Sequence, residues 1–331
     1  MIDRTASAIP EEIIEPDLLI CDPHHHLWDY PDSCYLVDEF LDDLGGGHKV
    51  TRTVYVECRH GWREQGSEAM RPVGETEYVD RLTASAQADA GFPRVAAGIV
   101  GFADLALGAA VEPVLAAHLD ASDRFRGIRH MSAWDASDRI HNSQTNPPQD
   151  LLQSSQFREG FARLSELGLS FDAWVYYPQI PAVTDLARAF PDTSIVLNHV
   201  GGPLGIGPYA NRREEIFGIW RRHMTELAEC PNVYVKLGGL TMSISGFGWH
   251  KRETPPASSE LAEAMHPYYQ TCIELFGPQR CMFESNFPVD RVSCSYTVLW
   301  NAFKRIARNF SAAERAALFH DTAVRVYKLD V

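Results

Sequence analysis

Eight short runs of β-branched and apolar residues recur along the chain, at 18–22, 51–57, 94–100, 125–130, 169–176, 194–199, 233–237 and 281–285. Longer amphipathic stretches fall between most of them, at 75–90, 109–120, 157–167, 180–190, 214–229 and 259–276, with 296–309 and 312–327 closing the chain. Strands that alternate with helices pair in parallel, because each helix carries the chain back to the starting edge of the sheet. Gly168 after Leu167 reads as a helix stop, and Ser311 with Glu314 as a capping box. Eight such units in 331 residues fit a (β/α)8 barrel, which reaches this length as a single domain spanning 1–331. The alternative, an open doubly wound sheet, would carry a glycine-rich phosphate loop after its first strand. Asp22-Pro23-His24-His25-His26-Leu27-Trp28-Asp29 stands there instead.

Composition narrows the partners. A hydrophobic content of 45% supports a large core, and a formal charge of −14 argues against nucleic acid or an anionic membrane surface. Seven cysteines without a CxxC pair suit reduced thiols. The polar start of the chain holds no apolar signal region, and no run approaches the ~20 apolar residues of a membrane span. A soluble, cytoplasmic protein acting on a small molecule is the expectation.

In a barrel, the residues just past each strand converge on one mouth. Strand alternation sends His24 and His26 to one face and His25 to the other. The same rule places Tyr55, Glu57 and Arg59 on a common face, and Asp172, Trp174 and Tyr176 on another. Arg129-His130, His199, Lys236 and the run Glu284-Ser285-Asn286-Phe287-Pro288-Val289-Asp290 follow later strands. A histidine bonded to backbone in the core is the commoner fate for any one of these. Ionisable groups at most strand ends of one rim are harder to explain by packing, since each buried charge needs a partner. Two connections, 59–76 and 241–258, are longer than a barrel needs and read as lids. The second carries Trp249, His250, Lys251 and Arg252 beside a Gly-Phe-Gly hinge. Their Trp and Phe side chains are candidates for a contact between copies of the chain, and so for a homo-oligomer.

The Asp-x-His-x-His-Leu-Trp-Asp element, Gly127-Ile128-Arg129-His130, Asn198-His199-Val200-Gly201-Gly202-Pro203 and the Phe-Pro element after the eighth run together resemble the amidohydrolase superfamily. Within it the likeness is to the branch of small-molecule lactonases and decarboxylases, and it extends from Leu18 to about Tyr327. The resemblance implies a distorted (β/α)8 barrel with His24, His26, a later histidine and an eighth-strand aspartate at its centre. Two departures stand out. The eighth element usually reads Gly-Ser-Asp-Phe-Pro, and here it reads Glu284-Ser285-Asn286-Phe287-Pro288. Asn286 cannot act as a base, so Glu284, which alternation sends to the same face, or Asp290 is the expected substitute. The fifth run also lacks the histidine that metal-binding relatives often place there.

The resemblance therefore implies a hydrolase that opens a small, acidic cyclic ester. His24, His26 and His199 would surround the carbonyl and Glu284 or Asp290 would activate water. Glu57, Arg59, Arg129, His130, Lys236, Asn286, His250 and Arg252 would hold the substrate, with Trp174 and Tyr176 packed on its ring. A divalent ion, zinc before others, would lie on His24 and His26 with Glu57, Glu284 or His199, and a metal-free site is the alternative. A metal-dependent decarboxylase of an aromatic acid and a non-catalytic barrel are the competing readings.

Overall fold

The computed structural model describes residues 10–87 and 93–329. The chain opens with β1 (Leu19–His25), a small antiparallel hairpin of β2 (Trp28–Tyr30) and β3 (Ser33–Tyr35), α1 (Val37–Leu44) and β4 (Lys49–Val56). It continues through α2 (Val73–Leu82), β5 (Arg94–Gly101), α3 (Glu112–Ala121), β6 (Phe125–Arg129) and α4 (Ser155–Glu166). Then come β7 (Ser170–Ala173), α5 (Ile180–Ala189), β8 (Ile195–Leu197), α6 (Arg213–Ala228), β9 (Val233–Leu237), α7 (Ser258–Phe276) and β10 (Cys281–Phe283). The chain ends in α8 (Tyr296–Ile306), α9 (Ala312–Ala316) and α10 (Thr322–Val326).

Eight strands pair in parallel in the order β1-β4-β5-β6-β7-β8-β9-β10, a nearly closed (β/α)8 barrel with helices between the strands. The last seam is closed not by β10 itself but by the segment after it. Asn286 N donates to His24 O at 2.9 Å and His26 N to Phe287 O at 2.8 Å. Asp22 reinforces this seam, accepting from Ser285 N and the Tyr296 hydroxyl, both at 3.0 Å. The expected strands are all present. The first extends further than expected, through His24 and His25, and the fifth stops at Ala173, before Trp174 and Tyr176.

One helix is added and two helical expectations change. The short acidic segment Val37–Leu44 forms α1, which buries Phe40 and Leu44. The helix expected over 312–327 is interrupted by a wide turn at Ala317–Asp321. The helix expected over 75–90 ends at Leu82, and its last expected residues, 88–90, lie outside the described ones. The capping box at Ser311 forms as read, with Ser311 N donating to Glu314 Oε2 at 2.8 Å. Gly168 takes φ +65° after Leu167, the left-handed stop that glycine allows. One core packs the strands against the helices; a second holds Val54, Val56, Val100, Val196, Met282 and Tyr327, so the chain's last turn joins the barrel strands.

Candidate active site

β1 and the residue after it sort the three histidines as alternation requires. His25 turns to the helix side, stacks on Phe40 with ring centres 4.2 Å apart, and pairs its Nε2 with Thr53 Oγ1 at 2.9 Å. Burial lowers its pKa to about 3, so the ring is neutral. His24 and His26 face the other way, with ring centres 5.0 Å apart, and His199 approaches His24 at 4.6 Å.

Glu284 reaches between them. Its Oε1 lies 2.7 Å from His199 Nδ1 and accepts from His199 N at 3.1 Å, and its Oε2 lies 2.8 Å from His24 Nδ1. All three side chains are buried. The backbone is shaped for this approach. A Cβ on Gly238 would sit 2.2 Å from Glu284 Cγ, and one on Gly239, at φ +71°, would sit 2.5 Å from His199 Cβ. His199, Val200 and Asn286 all hold positive φ, of 52°, 47° and 56°. Such strain in side-chain-bearing residues is tolerated where the surrounding structure over-determines it, and it clusters at functional sites.

Two ion pairs flank this cluster. Lys236 Nζ donates to Asp172 Oδ2 at 2.7 Å and lies 3.3 Å from His24 Nδ1; Asp172 also accepts from Asn198 Nδ2 and from the Tyr327 hydroxyl. Arg129 Nε donates to Glu57 Oε1 at 2.8 Å and its Nη2 donates to Glu57 O, which leaves Nη1 3.3 Å from His24 Nε2. Burial lowers the pKa of His24 well below the usual histidine value, and the neighbouring Lys236, His199, His26 and Arg129 charges push the same way. His26 is lowered by burial and then by Arg129. Its Nδ1 donates to Val56 O at 2.7 Å, which fixes the tautomer and leaves Nε2 with a free lone pair.

A cavity of 460 Å³ opens above this floor. His26, Arg129, His199 and Asn286 line its base, and Trp28, Tyr30, Trp174 and Tyr176 line its sides. Much of its rim comes from the connection after β6, through His141, Asn142, Ser143 and Gln144. That segment is tied down by bonds from the Tyr176 hydroxyl to His141 O at 2.5 Å and from Arg59 Nη1 to Gln144 O at 2.7 Å.

The structure corrects several expectations. Tyr55 and Glu57 do not share a face: the strand ends at Val56, and Tyr55 donates instead to Glu75 of α2 at 2.7 Å. Glu57 belongs to Arg129 rather than to a metal set. Among the described residues, the grouping whose donor atoms could share an ion is His24, His199 and Glu284, which brings together three of the residues expected as ligands and leaves His26 beside it. Asp290 is not at the cavity. It lies behind Asn286, accepting from Asn286 Nδ2 and Thr241 Oγ1, and burial raises its pKa to about 7. His130 follows alternation away from Arg129 and packs on Phe102 and Phe157. With Arg59 it lines a neighbouring cavity of 650 Å³, and not the one above His199.

The 241–258 connection gives Met242 to the site, but His250 lines a separate surface hollow and Arg252 pairs with Glu260. Trp249 is buried, stacked on Phe247 at 4.3 Å, and Arg213 covers Phe247 at 3.8 Å. Both rings thus pack against their own chain. Asp172 and the 131–150 segment went unnominated. Asp172 shares a face with Trp174, and the 131–150 segment shows only as a long polar and proline-bearing stretch between β6 and α4.

Two imidazoles and a carboxylate form a donor set used by catalytic zinc. The fit is supported by Glu284 Oε2, which is buried and has no aligned hydrogen bond although His24 Nδ1 is 2.8 Å away. A parallel barrel with such a cluster under its mouth is an enzyme barrel of the amidohydrolase type, and the amidohydrolase family profile matches residues 21–329. The chain belongs to that family. It is 34% identical over 335 residues to the uncharacterised protein y4mH of Sinorhizobium fredii, covering 95% of this chain and 99% of that one. It is 26% identical over 321 residues to an L-fucono-1,5-lactonase of Burkholderia multivorans, covering 93% and 95%. A crystal structure of a Burkholderia multivorans amidohydrolase with bound zinc superposes with a TM-score of 0.72 at 25% identity, covering 94% of this chain and 99% of that one. Among the described residues, no helix is long and apolar enough to cross a membrane.

Proposed function

We propose that the chain hydrolyses a lactone by attack of water on the ring carbonyl. The observation that carries this is the floor of the 460 Å³ cavity, where His26, Arg129 and Asn286 open directly above the buried His24–Glu284–His199 cluster. His24, His199 and Glu284 would hold a divalent ion, zinc being the first expectation, and the ion would supply Lewis-acid polarisation of the carbonyl.

The chain's own groups do the rest. Arg129 has Nη1 uncommitted to Glu57, so that nitrogen donates to the carbonyl oxygen and stabilises the charge that develops there. Asn286 spends its Nδ2 on Asp290 and keeps Oδ1 to orient the attacking water. His26 Nε2 takes the proton as water's oxygen bonds to the carbonyl carbon. It returns that proton to the ring oxygen as the carbon–oxygen bond breaks, leaving a hydroxy acid. Glu284, with Asp290 one of the two carboxylates read from sequence as the base, faces two imidazoles beneath the cavity, so its role is to hold the ion with His24 and His199 and not to take the proton. Trp174, whose ring centre is 4.8 Å from that of His199, packs on the substrate ring.

Following γ- and δ-lactone opening in a pH-stat, alongside metal analysis of the purified protein, tests this. His26→Gln is expected to lower kcat by about a hundredfold with little change in KM. Release of CO2 from aromatic acids, without hydrolysis of any lactone, would replace this reading with the decarboxylase one.

A further inference from the structure

Polarity in the cavity is concentrated at its floor and rim; Ser33 and Cys58, which also line it, already bond to Trp28 Nε1 and Leu27 O. The sides are Trp28, Tyr30, Met131, Trp174, Tyr176 and Met242, and the polar groups of three of these aromatic rings are already used. Trp28 Nε1 donates to Ser33 Oγ at 3.0 Å, the Tyr30 hydroxyl to Cys58 O at 3.0 Å, and the Tyr176 hydroxyl to His141 O at 2.5 Å. What they turn to the cavity is ring surface. A polyhydroxylated ring entering here would lose water from its hydroxyls and find few partners along the sides, a loss that binding does not recover.

Charge points the same way. Among the described residues that line the cavity, Arg129 is the one Lys or Arg, and it lies at the floor, paired with Glu57. Lys236 is fully buried beneath and paired with Asp172. A carboxylate carried on the substrate away from its carbonyl would lie along the aromatic sides, where no such cation faces it. The chain's net charge of −14 adds a general repulsion.

We infer that the substrate is an uncharged lactone bearing an apolar alkyl or aryl substituent, in place of the acidic ring expected from sequence and unlike a sugar lactone. The inference rests on the lactone-hydrolase reading. It adds that the ring carbonyl meets the floor while the substituent runs along Trp28, Trp174 and Met242. Water adds across the ring carbon–oxygen bond, and the product is the corresponding hydroxy acid.

Four lactones test it: γ-pentyl- and γ-phenyl-butyrolactone, γ-carboxy-butyrolactone, and a six-carbon aldonolactone. The pentyl and phenyl compounds are expected to show kcat/KM at least about tenfold above the other two. Met242→Arg, which adds a cation to the side, is expected to shift the ratio toward the carboxy compound by about tenfold. A parent enzyme that prefers the carboxy or aldono compound overturns the inference. If none of the four is hydrolysed, the lactone reading falls, and binding of 3-pentyl- against 3-carboxy-cyclopentanone, followed by calorimetry, decides the inference separately. Tighter binding of the pentyl ketone sustains the apolar pocket. Tighter binding of the carboxy ketone, or binding of neither, ends it.

Discussion

Buried carboxylates and imidazoles occupy both sides of the barrel wall. On the inside, Glu284 lies between His24 and His199. On the outside, Glu75 is buried to the same degree and accepts from the Tyr55 hydroxyl, Cys58 N and Trp62 Nε1, while His25 stacks on Phe40. Desolvation displaces groups in both places: His24 and His25 are each pushed down, and Glu75 up to about 7. What separates them is access and pairing. The inner groups lie under a cavity floor, with cations beside them and an oxygen of Glu284 left without an aligned donor. The donors around Glu75 come from the turn after β4 and from Tyr55, so it serves to fasten that turn. A displaced titration alone would not distinguish a site from a brace.

The largest contrast comes from changing the two glutamates alike. Glu284→Gln keeps the shape but places an amide against two imidazoles, and kcat on any lactone the parent opens is expected to fall by about a thousandfold. Glu75→Gln is expected to leave kcat/KM within about threefold. Equal losses from both would make the outer cluster part of the catalytic machinery and remove the distinction.

Next in size is the inner ion pair. Asp172→Asn leaves Lys236 buried with its carboxylate partner gone, and one-sided removal of a buried pair costs roughly 3 kcal/mol or more. Denaturant unfolding should show this loss. A variant as stable as the parent would mean that the pair adds nothing to stability.

Much of this arrangement was legible in sequence, because period-two alternation is reliable inside a strand. It placed His24 and His26 opposite His25, and put Asp172 on the face of Trp174. It carried over to His26 and Trp174, each one residue past a strand, but failed at Glu57, one residue past β4, where φ and ψ are free to turn. Tyr55 lies within β4 and Glu57 just beyond it, so the two part company, and Arg59 departs further at φ 65°. The loops were harder for another reason. Trp249, His250 and Arg252 looked like a lid because their side chains are rich in chemistry, yet they pack on or pair with their own surface. The plain segment 131–150 reaches the cavity because Tyr176 and Arg59 hold its carbonyls, and backbone acceptors leave no mark in a sequence.

The outer brace has its own signature in pH. The Glu75 carboxyl titrates near 7 when folded against 4.5 as its ordinary value, raised by burial and then by Glu57. The folded state therefore holds the proton more tightly, and its contribution to stability is complete below about 4.5 and lost as pH rises toward 7. The loss is expected to reach roughly 2–3 kcal/mol. Unfolding curves of parent and Glu75→Gln at pH 4.5, 5.5 and 7.5 check this, since the variant's slope should be shallower by the Glu75 share and keep only what Asp22 and Asp290 contribute. A parallel slope in both would assign the dependence to Asp22 or Asp290, whose pKa values burial also raises, to about 6 and about 7.

The smallest effect belongs to the exposed lid cation. Arg252 pairs with Glu260, with side-chain exposures of 42% and 46%, and lies outside the cavity. At that exposure water screens the attraction and ordering two long side chains offsets it, so such pairs contribute about 0–1 kcal/mol. Arg252→Ala should change stability by less than about 0.5 kcal/mol and kcat/KM by less than about twofold. A tenfold rise in KM on a carboxylated lactone, with stability unchanged, would bring the 241–258 segment over the cavity during turnover. It would also restore the acidic-substrate expectation that the paired floor cations oppose.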